Sequence, residues 1–148
     1  MLVPGALPVL VPAWTARMPS GLKFTNGRAE VDLGSSKATV TVPATITVPG
    51  TGTLPTRIDC SVRGAALTDT DLYFLKACLN AVYDVSDTNG YAVLAWADQT
   101  IHPTTTPAGR HGYQCAEVTV TVLVEQDTAE LSILPGDPNR TSCAETAG

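Results

Sequence analysis

Residues 37–48, KATVTVPATITV, alternate apolar and hydroxyl side chains with almost no interruption. Ala38, Val40, Val42, Ala44, Ile46 and Val48 fall on one side, and Thr39, Thr41, Thr45 and Thr47 on the other. A period of two predicts a half-buried strand. Pro43 stands in the middle of the run and cannot donate to a ladder. The strand is therefore expected at a sheet edge, with Pro43 blocking one register of pairing by another chain. Residues 116–124 repeat the pattern, with Val118, Val120, Val122 and Val124 opposed to Glu117, Thr119, Thr121 and Leu123. Between these runs, Ile58, Cys60 and Val62 alternate with Arg57, Asp59, Ser61 and Arg63, which predicts a strand over 56–65. Shorter strands are expected over 22–25 and 28–33, joined by the hairpin dipeptide Asn26-Gly27, and over 129–134.

The period changes to 3.6 over 68–84. Leu72, Leu75, Cys78, Leu79 and Val82 line one face, Thr68 and Thr70 are candidate N-caps, and Asp69 and Asp71 suit the positive end of the helix dipole. This is the one helix the pattern predicts. YAVLAWA at 91–97 is apolar on both sides and reads as a central strand covered on two faces. Residues 98–112 show no period and are expected to form a long irregular loop. At the start of the chain, MLVPGALPVLVPAWTAR is apolar but broken by Pro4, Pro8 and Pro12, and no basic residue precedes Arg17. It lacks the basic region and continuous helix of a signal peptide and is too short and broken to span a bilayer. The expectation is an extended, partly polyproline arm lying across a sheet or a neighbouring subunit.

Seven or eight strands with one helix give a mainly β, α+β fold class: an antiparallel β-sandwich or curved sheet with one packed helix at about 68–84 and an extended Pro-rich N-terminal arm. The organisation expected is an arm over 1–19, a single β-rich domain over 20–134 and a polar tail over 135–148.

Composition bears on the surface. Charged residues make up only 16% of the 148, against roughly 25% in an average soluble domain, so Thr, Ser, Gly and Pro supply much of the polar exterior. Such a surface meets other protein with few ionic groups to desolvate; codon usage in a G+C-rich genome would produce the same bias. The net charge is −5 and the basic residues are scattered singly, which argues against specific nucleic-acid binding. The four cysteines, Cys60, Cys78, Cys115 and Cys143, are widely spaced without a CxxC. Buried thiols are the expectation, with a Cys60–Cys115 bridge between neighbouring strands as the alternative.

Residues suited to chemistry are few. Asp98, His102, His111 and Cys115 lie close in sequence, but their spacing matches no zinc motif with a mechanical basis. No serine stands in G-x-S-x-G, and PGTG at 49–52 lacks the lysine and helix of a phosphate loop. The expectation is a non-enzymatic protein without a cofactor. The alternative is a small binding module or enzyme working through the 98–112 loop.

The apolar segment at 1–17, the Thr/Val strands at 37–48 and 116–124 and the helix at 68–84 between strands together resemble virion structural proteins of tailed bacteriophages. The resemblance implies a head-decoration, connector or tail subunit, found in the virion and assembled in the host cytoplasm, with copies of itself and other virion proteins as partners and no membrane. A tail-tube ring around DNA is the variant in which the 98–112 loop reaches the next ring. Assembly contacts are expected from the arm (Val3, Leu7, Val11, Trp14), from Thr39, Thr41, Thr45 and Thr47, and from Ile101 and His102 in the loop.

Overall fold

The computed structural model describes residues 3–18, 22–65, 67–83, 90–101 and 108–146. The elements run α1 (Val11–Arg17), β1 (Arg28–Asp32), β2 (Ser36–Val48), β3 (Gly52–Gly64), α2 (Asp69–Asn80), α3 (Tyr91–Thr100), β4 (Gly109–Gln114), β5 (Val118–Val124), β6 (Thr128–Pro135) and β7 (Ala144–Thr146). The strands form one sheet in the order β1-β2-β3-β6-β5-β4-β7, and every pairing is antiparallel. The mainly β, antiparallel architecture is thus the one the alternation predicts. The strands make one sheet and not a sandwich, because helices supply the second layer.

Alternation decides which face is covered. Ala38, Val40, Ile58, Cys60, Val62, Val118, Val120, Val122, Ala129, Leu131 and Ile133 are buried and share one face. Three contacts put each helix on that face. A disulfide joins Cys78 of α2 to Cys60 of β3. Trp96 of α3 stacks on Tyr113 of β4 with ring centroids 5.2 Å apart. Trp14 of α1 donates its Nε1–H to the Cys78 carbonyl at 3.0 Å.

Of the two candidate N-caps, Thr68 is the one that starts α2. Thr68 Oγ1 accepts from the Asp71 N–H, and Asp71 Oδ2 accepts from the Thr68 N–H at 2.8 Å, which closes a capping box. Asp71 is also buried and its other oxygen accepts from Ser36 Oγ, tying the helix start to the start of β2.

Several expectations are corrected. Residues 91–97 are helical, not a strand, and α3 continues to Thr100. Val93, Trp96, Ala97 and Ile101 are buried at i, i+3, i+4 and i+8, a helical stripe that a seven-residue window is too short to display. The 98–112 loop is consequently shorter: 98–100 belong to α3 and 109–112 to β4. The N-terminal segment is not extended throughout. Pro12 sits in the first turn of α1, where a helix has no use for its missing N–H, so this proline starts a helix while Pro4 and Pro8 precede it. Nor does the segment stand apart, since Leu7, Val9, Trp14 and Met18 are buried in the common core.

The Asn26-Gly27 turn forms, with φ of 53° and 74°, but its first arm is a single bridge from Thr25 to Arg28. Gly27 passes so close to β2 that a Cβ there would lie 2.7 Å from the Val42 carbonyl oxygen.

The four cysteines are paired, in place of the expected thiols. Cys60 bonds Cys78 and Cys115 bonds Cys143. A Cys60–Cys115 bridge is ruled out by topology, because β6 lies between β3 and the start of β5. Two strand spacings are about 10 Å, beyond the reach of a disulfide.

Candidate interaction surface

Turned away from the helices is a second sheet face made chiefly of Thr, Ser and Leu. The register sets its rows. Thr41, Asp59, Ser132, Thr121 and Gly112 stand opposite one another across five strands. Thr39, Ser61, Glu130, Leu123 and Arg110 form the next row. Leu134, Thr119 and Gln114 form a third. Apart from the buried Gly112, every residue in these rows is half-buried or exposed, and no described helix lies on them. Neighbouring side chains are their shielding.

The face carries three charged side chains, Asp59, Glu130 and Arg110, and the central one is answered locally. Asp59 takes Arg57 at 2.9 Å and accepts from Ser132 Oγ at 2.8 Å. At the β1 margin, Glu30 is bracketed by Arg28 at 2.8 Å and Lys37 at 3.0 Å. Hydrogen bonds from Arg28 and then Lys37 hold its carboxyl below the usual carboxylate range. Over β5 and β6 the face is Thr119, Thr121, Leu123, Ser132 and Leu134, with Glu130 opposite Leu123 as its one charged side chain.

Beyond this face, the β2–β3 hairpin runs past its neighbours. β1 pairs with β2 only over Lys37–Thr41, and β6 pairs with β3 only over Ile58–Arg63. A bulge between Thr41 and Ala44 marks the change, and Pro43 lies in it, where the ladder is irregular and a missing N–H does least harm. The distal hairpin has two edges with different fates. On the β3 side the N-terminal segment lies against the edge: the Leu7 N–H donates to the Pro55 carbonyl at 2.8 Å. On the β2 side no described residue pairs with Ala44–Val48.

The direction of the main chain on that open side follows from Pro55. It has no N–H, and its carbonyl points outward to Leu7, so the Thr45–Pro55 register pair exchanges no hydrogen bonds. Thr45 must then direct its own N–H and C=O away from β3. Thr47, two residues on, does the same. The close approach of the Thr47 and Thr53 hydroxyls, at 3.3 Å, is what a non-hydrogen-bonded pair produces. Beside this edge is a groove of about 410 Å³ lined by Val11, Thr15, Leu22, Phe24, Gly27, Val42 and Thr45.

The expected contact residues are therefore divided. Thr39 and Thr41 lie on the open face, and Thr45 and Thr47 on the distal hairpin. Val11 meets Thr45 in the groove, while Val3 is half-buried in the N-terminal segment. Leu7, Trp14 and Ile101 are fully buried in the chain's own core and have no surface to offer. His102 lies outside the described residues.

Leu134, Ser132 and Thr119 complete the patch. Their alternation in 129–134 and 116–124 was the available signal, though only register shows them to be neighbours.

Among the described residues no group of three or more His, Cys, Asp or Glu is placed to hold a metal ion. Cys115 is committed to a disulfide. None of the described helices is long and apolar enough to cross a membrane. No protein-family model matches the chain, nor does any curated protein or solved structure.

Proposed function

We propose that this chain is a non-enzymatic structural subunit of a bacteriophage particle, in head or tail, that assembles with copies of itself and with other virion proteins. The observation carrying the reading is the uncovered sheet face. A two-layer domain gains most by placing charge on the side away from its core, yet here that side is mostly hydroxyl and leucine, with only Asp59, Glu130 and Arg110 charged in its rows and Asp59 already paired. Such a face loses little when it is desolvated against protein. The likeness of the Thr/Val strands and the inserted helix to tailed-phage subunits supplies the particle.

The contacts differ from those expected from sequence alone. The buried part of the N-terminal segment stabilises the subunit, and assembly falls to the open face and the projecting hairpin. Light scattering after size exclusion, with negative-stain imaging, tests this directly. The protein should form rings, patches or larger bodies at high concentration. The double substitution Thr121→Lys and Leu134→Lys should abolish them while changing unfolding free energy by no more than about 1 kcal/mol, since both side chains point away from the core. A strictly monomeric wild-type protein that also fails to bind virion shells would refute the reading.

The disulfides favour a second reading, a discrete binding module working outside the cell. Paired cysteines persist in oxidising surroundings and are uncommon in reducing cytosol. A virion also spends its life outside the cell, so both readings accommodate the bridges. They part on assembly, which the second does not require.

A further inference from the structure

We propose that the outer edge of β2 between Pro43 and Pro49 pairs, antiparallel and across a two-fold axis, with the same edge of a second copy of this chain. The proposal deepens the structural-subunit reading and rests on it for the premise that the chain self-associates.

The edge is self-complementary in its hydrogen bonds. It offers two outward N–H groups and two outward C=O groups, those of Thr45 and Thr47, between prolines that have no N–H. Set antiparallel to its own copy, the strand has one two-fold register in which both threonines exchange both bonds: Thr45 opposite Thr47 of the partner subunit, with Ile46 on the axis. Sliding so that Thr45 faces its own counterpart brings Thr47 against Pro43, which cannot donate. Sliding the other way brings Thr45 against Pro49. The prolines thus do more than guard the edge; they select a register.

The chemistry of the side chains agrees. From Val42 to Thr56 the hairpin carries no charged residue, so the lysine or carboxylate that ordinarily protects a free edge is missing. The neighbouring edges are treated differently. β1 carries Arg28, Glu30 and Asp32, and the distal edge of β3 is occupied by residues of the N-terminal segment. An occupant with net charge gains nothing here, whereas Thr opposite Thr and Ile opposite Ile are favoured cross-strand pairs.

The test uses the full-length protein. In the proposed register Ile46 faces its counterpart in a non-hydrogen-bonded pair, where Cα atoms are about 4.5 Å apart and a disulfide fits. Ile46→Cys should give covalent dimers on mild oxidation, while Thr51→Cys at the hairpin tip should not. Thr47→Pro removes one donated bond per copy and should weaken dimerisation about tenfold in sedimentation equilibrium. Thr45→Lys keeps the backbone intact, restores the missing guard charge and should weaken it likewise, so the result does not depend on how proline is tolerated.

If the protein oligomerises, but Ile46→Cys does not cross-link and neither edge variant changes the association, the edge pairing is wrong and assembly through the open face stands. Covalent dimers from Ile46→Cys without any larger bodies would support the pairing and count against the particle. A wild-type protein that stays monomeric at every concentration overturns both.

Discussion

Among the described residues Asp71 is the buried carboxylate, and it does two things at once. One oxygen closes the capping box of α2 and the other accepts from Ser36 at the start of β2. Removing the side chain strands a buried hydroxyl and an N-terminal helix donor in the same step. Asp71→Ala should therefore lower the unfolding free energy by roughly 2–4 kcal/mol, measured by urea denaturation. Ser36→Ala, which leaves the capping box intact, should lower it by only about 1 kcal/mol. The helix start was legible in the sequence to within two candidate caps, Thr68 and Thr70, with Asp71 expected in the first turn. The Ser36 contact was not, since its partner is 35 positions away and nothing local marks it.

At the level of elements, periodicity located what one-sided burial controls. The strands β2, β3, β5 and β6 each show apolar positions toward the helices and polar positions outward, so alternation alone reveals them. The helix α3 escaped because Tyr91, Ala92 and Ala95 are apolar yet exposed, which blurs its buried stripe into a continuous apolar run. The cysteine pairing was also hidden, because it depends on which strands become neighbours. The Cys60–Cys78 bridge spans 18 positions and fastens α2 to the centre of the sheet. A cross-link across a loop of that size is worth about 3 kcal/mol in the chain-entropy account. Replacing both cysteines by Ala should lower the denaturation midpoint to match. The corresponding change at Cys115 and Cys143, whose bond closes a loop of 28 positions, should lower the midpoint comparably and in addition raise amide exchange in β7, a three-residue exposed strand.

For the whole molecule, the N-terminal segment and the sheet are one body. Leu7 and Trp14 are fully buried, Val9 and Met18 nearly so, Trp14 packs edge-on against Phe24, and Arg17 donates to the Ala81 carbonyl past the end of α2. Burying four such side chains is worth roughly 6–12 kcal/mol, comparable to the net stability of a domain. A chain lacking residues 1–18 should bind a hydrophobic dye, show collapsed near-ultraviolet dichroism and fail to unfold cooperatively. A segment rich in proline and leucine reads as a detachable arm when only its own residues are considered. Its partners, on α2 and β3, are supplied by tertiary packing that no local window contains.

The tail strand β7, stapled beside β4 by the Cys115–Cys143 bond, has a bearing on how far association can proceed. A flat ribbon with two receptive margins grows without end and becomes a fibril. Here the last strand at one margin is short and covalently clasped, and the opposite margin bristles with the ions of β1. On the proposed pairing, the sticky notch in the spur of β2 joins once and is then sated, so strand-to-strand adhesion ends in closed couples and leaves any larger order to the broad hydroxyl plane.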